Sequence, residues 1–411
     1  MGDDGPMHDD TPEAARPHPA VPTSAPSTAS ARIDLAAFTG NIAAIQRHVD
    51  AAVMVVLKAD AYGHGLQRCR VAARDTGVEW IGVAGVGEAN ACREAGDTGR
   101  LFAWMYGEDE DLTVPVGHDI DLGVHRVEQL HRIVAAAGDS GRTARVHLKI
   151  DTGLSRNGAP ADKWAELCAE AAAAEASGAV EVVGIWSHLI SSDDLSLPWT
   201  DRQLDAFDNA LAVAAEHGVT PQLRHIANSA AALQVPRAHH DLVRLGIAAY
   251  GVDPGEGVAA AAGVELTPVM TLRAQLLNVK TIAAGSVVSY GAAWQADRDT
   301  VVGLVPLGYA DGVPRHASNI ASVRINGRIV PIRGRVCMDQ FVVDLGPGAT
   351  DVPGDEVVLF GAGGPSAEDW ARDCGTIGYE IVTRIGTRVP REYPAAAHAG
   401  SEESLQQKEN R

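Results

Sequence analysis

The stretch Ala52-Val53-Met54-Val55-Val56-Leu57-Lys58, followed by Ala59-Asp60-Ala61-Tyr62-Gly63-His64-Gly65, decides how the fold is read. A continuous apolar run ending in one charge predicts a strand buried on both faces, the kind found in parallel sheets. Gly63 and Gly65 punctuate the chain, and Leu66–Asp75 then reads as a helix. The alternation repeats outward from there. Residues 79–84 read as a strand, HLKID at 147–151 as a strand before a helix over 162–176, and VEVVGIWSH at 180–188 as a strand before a helix over 202–217. LRHIA at 223–227 precedes a helix that begins near Asn228. Strands alternating with helices over this length favour an α/β fold, a (β/α)8 TIM-type barrel, over an open sheet. No GxGxxG follows any of these strands, which weighs against a dinucleotide-binding domain.

Beyond about residue 265 the helical pattern nearly disappears. VMTLRAQLLNVKTI, TVVGLVPL, ASVRING-RIVPIRGRV, QFVVDL and DEVVLF are short β runs, and Asn326-Gly327 between two of them signals a type I′ hairpin. One helix, 367–373, interrupts. The expected organisation is a disordered tail at 1–30, an α/β barrel at 31–260, a mainly antiparallel β domain at 261–394 and a second tail at 395–411.

Composition limits the function. The 411 residues carry a formal charge of −19, against a polyanionic partner such as nucleic acid. No apolar run is long enough to span a bilayer, and the N-terminal residues lack a secretory pattern, so no membrane association and a cytoplasmic location are expected. Five cysteines without a CxxC pair argue against a disulfide framework, and His239-His240 lack zinc-site spacing, so no metal site is expected. Aromatics make up only 5%, yet six of the seven tyrosines adjoin a glycine: Tyr62, Tyr106, Tyr250, Tyr290, Tyr309 and Tyr379. Glycine permits turns and close backbone approach, so these tyrosines are candidates for presenting hydroxyls to a ligand.

Lys58 ends a barrel strand, where catalytic groups of such barrels collect, and desolvation would make it an amine nucleophile. Position alone fits a surface lysine at least as well. His225-Ile226-Ala227-Asn228-Ser229 and Arg244-Leu245-Gly246-Ile247 place polar groups and glycine after late strands, the usual phosphate site of a barrel; for Asn228 and Ser229 ordinary helix capping fits equally. A strand-end lysine together with a phosphate cradle suggests pyridoxal phosphate.

VVLKADAYGHG, LKIDTGLSRNG, HIANSAA, RLGIAAYG, SYGAAW, GYADG, GRVCMDQ and YEIVTRIGTRVPREY occur in this order, and the chain over about 30–395 thereby resembles the alanine racemase family. The resemblance implies a pyridoxal 5′-phosphate-dependent isomerase that interconverts L- and D-alanine by a two-base mechanism and supplies D-alanine for peptidoglycan. It also implies a homodimer, with a first strand near 32–35 pairing with the C-terminal domain. Lys58 matches the lysine that binds the cofactor covalently and serves one face of the substrate, and Tyr290, donated by the partner subunit, serves the other. A phenol is a weak base, so Tyr290 needs cationic neighbours; His188 matches the histidine linking it to Arg244. Arg244 matches the arginine against the pyridine nitrogen, where a permanent cation withholds a proton and leaves the ring a weaker electron sink.

Tyr62, Asn228, Ser229, Gly246, Ile247 and Tyr379 fall in the cofactor shell. Arg156 and Met338 match substrate-carboxylate positions, and Tyr309 would line the access route. Asp339 and Cys337 lie in the Met338 motif. Lys149 matches a position that some members carbamylate. Ser155 stands where the family usually has Gly, and LISSDDLSLPW after His188 is atypical. Two alternatives stay open: a racemase of broader specificity, and a non-catalytic pyridoxal phosphate-binding protein. A barrel decarboxylase would be expected to place a carboxylate, not Arg244, at the ring nitrogen.

Overall fold

A computed structural model describes residues 28–394, so the tails expected at 1–30 and 395–411 lie outside the described residues apart from 28–30. Strand β1 (Ala29–Ile33) opens the described chain. Eight parallel strands then follow: β2 (Ala52–Val56), β3 (Trp80–Gly85), β4 (Arg100–Met105), β5 (Ile120–Val124), β6 (Ala144–Lys149), β7 (Val180–Trp186), β8 (Leu223–His225) and β9 (Leu242–Leu245). They pair in the order β8-β7-β6-β5-β4-β3-β2-β9. Two backbone bonds, Arg244 N–H to Ala227 O and Asp241 N–H to Arg224 O, bridge the β8–β9 seam, so the barrel is nearly closed. The sequence reading did not single out β4 or β5; in β5, Asp121 and Gly123 interrupt the apolar run of IDLGV, whereas β4, RLFAWM, is continuously apolar after Arg100.

The interior is packed rather than hollow, with Met54, Trp80, Phe102, Val183, Trp186 and Leu242 in one buried cluster. Helices between the strands cover the outside. The helix Leu35–His48 is capped by Asp34, whose carboxylate accepts from Ala37 N at 2.9 Å, and it buries Phe38, Ile42 and Ile45.

The second sheet contains β10 (Met270–Gln275), β11 (Asn278–Ile282), β14 (Thr300–Val305), β15 (Ser322–Ile325), β16 (Arg328–Arg333), β17 (Phe341–Gly346), β18 (Glu356–Phe360) and β19 (Arg391–Glu392), with β12 (Val287–Val288) and β13 (Trp294–Gln295) as a separate small pair. Its order is β11-β14-β17-β16-β15-β18-β10-β1-β19, antiparallel except for the β1–β19 pair. The first strand therefore crosses into this sheet, opening at Ala29 rather than near Arg32; its small alternating residues, ASARI, carry little hydrophobic signal. Asn326 and Gly327, at φ 45° and 80°, make the I′ turn between β15 and β16 that the sequence predicts. A helix at Gly378–Thr383, which the sequence pattern does not announce, follows the expected one at Ala367–Cys374.

Candidate active site at the mouth of the barrel

Strand β2 stops at Val56, two residues before Lys58. Ala59, Asp60, Ala61 and Tyr62 then take φ between 53° and 54°, a turn of left-handed helix built without glycine. Such a conformation costs roughly 1–2 kcal/mol per residue, so its neighbours must hold it. Glu88 accepts from Ala59 N at 2.7 Å, Asp60 accepts from Leu66 N at 2.7 Å, and Gly63 O accepts from Arg391 Nε at 3.0 Å. The turn points Lys58 and Tyr62 to one side, into a cavity of about 270 Å³.

Lys58, Lys149, Arg156 and Arg244 all line that cavity, with no carboxylate among the lining residues. Around them stand Tyr62, His188, Asn228, Ser229, Gly246, Ile247 and Tyr379, so eleven sequence-derived candidates converge at the C-terminal mouth of the barrel. Burial, then the charges of Arg156 and Arg244, hold the Lys58 amine below the ordinary lysine range, against an opposing pull from Glu88. Lys149 is pushed down to about 7, by burial first and then by Arg244 and Arg156. Its ammonium lies 4.3 Å from the Trp186 ring centroid. Trp104 and Trp186 are lining residues that the sequence reading missed; the only hint was an aromatic at a strand end.

Arg244 is fully bound on its terminal nitrogens. Nη1 donates to His225 Nδ1 at 3.1 Å and His225 O at 3.0 Å; Nη2 donates to Ser187 O at 2.8 Å, Ile226 O at 3.2 Å and His188 Nδ1 at 3.1 Å. These five bonds leave Nε–H unused. Burial lowers Arg244 to about 9, still protonated at neutral pH. Because a guanidinium only donates, His188 Nδ1 accepts and its ring proton sits on Nε2. Burial and the surrounding cations Arg244, Arg156, Lys149 and Lys58 keep that ring neutral.

Tyr62 and Tyr379 approach within 6.5 Å between ring centroids, and burial raises both phenols above the ordinary range, which keeps them donors. A β-carbon at Gly246 would lie 2.6 Å from Tyr62 Oη, so glycine is what admits that hydroxyl. Ser229 Oγ accepts from Gly246 N at 2.9 Å, which leaves its own proton to donate. Asn228 is an N-cap: its Oδ1 accepts from Ala231 N at 3.1 Å and from Ser192 Oγ at 2.8 Å. Cations, three hydroxyl donors and a glycine-lined approach fit the charge and shape of a phosphorylated aldehyde cofactor.

Tyr290, Tyr309 and Met338 do not line this cavity. They lie on the C-terminal domain with 71%, 42% and 53% of their surface exposed. They belong to connected loops: Ser289 Oγ donates to Arg335 O at 2.7 Å, Tyr309 N to Cys337 O at 3.0 Å, and Ala310 N to Met338 O at 3.0 Å. Tyr290 sits between Ser289 at φ 64° and Gly291 at φ 72°, an uncommon backbone that projects its ring. Asp339 pairs with Arg388 at 2.7 Å. All five cysteines are free thiols, and among the described residues no cluster of His, Cys, Asp or Glu is placed to hold a metal ion. None of the described helices is long and apolar enough to cross a membrane.

Residues 33–254 match the family model described as alanine racemase, N-terminal domain, and residues 269–393 match that of the C-terminal domain. An alanine racemase of Thermobifida fusca is 49% identical over 375 residues, covering 90% of this chain and 99% of that protein. One of Salinispora arenicola is 47% identical over 369 residues, covering 89% and 98%. The crystal structure of alanine racemase from D-cycloserine-producing Streptomyces lavendulae superposes with a TM-score of 0.88 at 46% identity, covering 92% of this chain and 99% of that one.

Proposed function

The chain belongs to the alanine racemase family and carries its activity, the interconversion of L- and D-alanine, and we propose that it does so with pyridoxal 5′-phosphate held in the cavity above the barrel. The observation that carries this reading is the convergence of Lys58, Lys149, Arg156 and Arg244 on one cavity with no carboxylate. Such a site suits a phosphate and a carboxylate together.

Lys58 is the group for the cofactor's aldehyde, since its lowered basicity favours the neutral, nucleophilic amine. The hydroxyls of Tyr62, Tyr379 and Ser229, with Gly246 and Ile247, form the end of the cavity that would take the phosphate; Asn228 shapes it as a cap. Arg244 would turn its unused Nε–H toward the ring nitrogen. Bound pyridoxal phosphate supplies an electron-accepting ring that makes the amino acid's Cα proton removable. Arg156 stands ready for the substrate carboxylate, and Met338, which lies outside this cavity in its own chain, would be a second contact only from the partner subunit of a homodimer.

Inversion needs a proton-handling group on each face of the substrate carbon. Lys58 serves one face. The partner subunit's Tyr290 serves the other in a homodimer, a reading supported by the exposure of Tyr290, Tyr309 and Met338 on loops joined by hydrogen bonds. Fixed by Arg244, the Nε2–H of His188 is the donor available to a phenolate oxygen, and a donor there favours the charged form of the phenol. As a source of D-alanine for peptidoglycan the enzyme would work in the cytoplasm.

The test is Lys58→Ala in the purified, cofactor-loaded protein. Both the covalent cofactor absorbance and racemisation should be lost; racemisation that persists would refute the assignment. A screen across the standard amino acids then fixes breadth, with alanine alone expected as a good substrate and comparable rates on serine or lysine counting against strict specificity.

A further inference from the structure

The barrel interior is apolar around Met54, Trp80, Phe102 and Trp186, yet a file of polar groups crosses it. His225 Nδ1 receives Arg244 Nη1 at 3.1 Å, His225 Nε2 lies 2.9 Å from His147 Nδ1, and His147 Nε2 lies 3.2 Å from Asp121 Oδ2. Asp121, His147 and His225 are completely buried. The packing makes room for them: a β-carbon at Gly184 would fall 2.3 Å from His147 Nδ1.

The ends of the file dictate where every proton lies. Arg244 can only donate, so His225 Nδ1 accepts and its proton is on Nε2. That N–H donates to His147 Nδ1, and the remaining His147 proton, on Nε2, donates to the Asp121 carboxylate. A second proton on either ring would set two donors against each other. Burial holds both rings below the ordinary histidine range. Asp121 stays below the usual carboxylate range although burial opposes this, because His147, Arg145 and Arg100 outweigh it.

All five bonds of Arg244 go to neutral groups. On the cavity side no carboxylate side chain lies among the lining residues to offset its charge. At the other end Asp121 meets Arg145 Nε at 2.6 Å and Arg100 Nη2 at 2.9 Å. Of the four hydrogen-bonded groups, only Asp121 carries a negative charge, and it reaches Arg244 through the two imidazoles. We propose that Asp121, His147 and His225 are positioning residues that fix the orientation and polarity of Arg244 from across the barrel interior. The inference rests on reading Arg244 as the group that faces the cofactor's ring nitrogen.

The test combines side-chain NMR with a matched pair of variants. In protein labelled with 15N-histidine, both with and without pyridoxal phosphate, His147 and His225 should be neutral with the proton on Nε2 across about pH 6 to 8. A Gln at 147 can accept and donate in the same direction, and a Phe cannot. His147→Gln should therefore keep kcat and cofactor affinity within about threefold, whereas His147→Phe should lose at least about tenfold in kcat, with KM nearly unchanged and cofactor bound more weakly. A charged ring, a proton on Nδ1, a Phe variant equal to wild type, or Gln and Phe variants equally impaired would each overturn the relay. If His147→Phe does not fold, the wild-type NMR result decides alone. Wild-type racemisation, measured alongside, reports separately on the proposed activity.

Discussion

Arg391, close to the end of the C-terminal domain, donates from Nε to the carbonyl of Gly63 at 3.0 Å and so grips the left-handed turn that carries Lys58. The same guanidinium donates to Ile385 O, Gly386 O and Val389 O, and Tyr393 Oη donates to His64 O at 2.9 Å. A lysine at 391 keeps the charge but not the planar fork. Arg391→Lys should cost roughly 2 kcal/mol of stability and about tenfold in kcat. Hydrogen exchange at 59–65 checks the cause: faster exchange there with slower turnover is expected, and unchanged exchange with wild-type kcat would refute the grip.

Buried neutral histidines give the fold a definite pH response. His64, His147, His188 and His225 all have folded pKa values below the unfolded 6.5, His64 lowered to about 4, chiefly by burial. Below pH 6.5 the unfolded chain binds protons that the folded chain refuses, so stability is full above 6.5 and falls as the pH drops toward the folded values. His64 alone accounts for roughly 3 kcal/mol between 6.5 and 4. Asp97 and Asp121, lowered instead from 3.8, lose their contribution only below that value, outside this window. Urea melts at stepped pH should show stability declining from pH 7 to 5; a flat or rising profile would count against neutral burial.

Barrel and β domain were legible because each rests on a local pattern, whereas the residues that line the cavity were picked out chiefly by the ordered motifs that resemble the family's. Val53–Leu57 is apolar enough to be a buried strand in any context, and Asn326-Gly327 can hardly be anything but a turn. What was hidden depends on tertiary partners. Nothing in Ala59–Tyr62 announces left-handed backbone, since it exists only while Glu88 and Arg391 hold it. The tyrosine-glycine pattern marked Tyr62 and Tyr379 but also Tyr250 and Tyr106, whose hydroxyls donate to Val56 O and Gly123 O inside the fold. Adjacency to glycine reports close approach, without saying whether the neighbour is a ligand or a backbone.

Ser155 explains itself through its backbone. Its φ is 57°, and its N–H donates to Asp151 Oδ1 at 3.0 Å, so the family's usual Gly there reflects a left-handed position. Ser155→Gly should relieve about 1 kcal/mol of strain, offset in part by the entropy of the freer unfolded chain, for a net gain of a few tenths. The melting temperature measures it, and a clear drop would show that the serine side chain contributes more than its backbone costs.

Lys149 should react with carbon dioxide. An amine lowered to about 7 is substantially neutral at pH 7.5, and the N–C bond forms with loss of one proton to give a carbamate. That anion would lie among Arg156 and Arg244. Incubation with 13C-bicarbonate should yield a carbamate carbon signal that vanishes in Lys149→Ala, with kcat/KM of the variant reduced about tenfold. Absence of the signal in the wild type, or an unmodified Lys149 in a well-resolved electron-density map, would sink this reading.

The proposal that Tyr290 completes the partner's site makes a prediction that single variants cannot test. In Lys58→Ala the amine is missing, and in Tyr290→Phe the phenol; each homodimer should be nearly inactive. If Tyr290 acts across the interface, a mixed dimer holds one site lacking both groups and one site with both intact. Statistical reassortment puts half of the subunit pairs in mixed dimers, each with one working site of two, so racemisation should return to about a quarter of the wild-type rate. Both variants must be unfolded and refolded together, or co-expressed, so that subunits exchange. If Lys58 and Tyr290 of one chain instead served the same site, every mixed dimer would keep two defective sites. No activity would return, and the shared-site reading would fall.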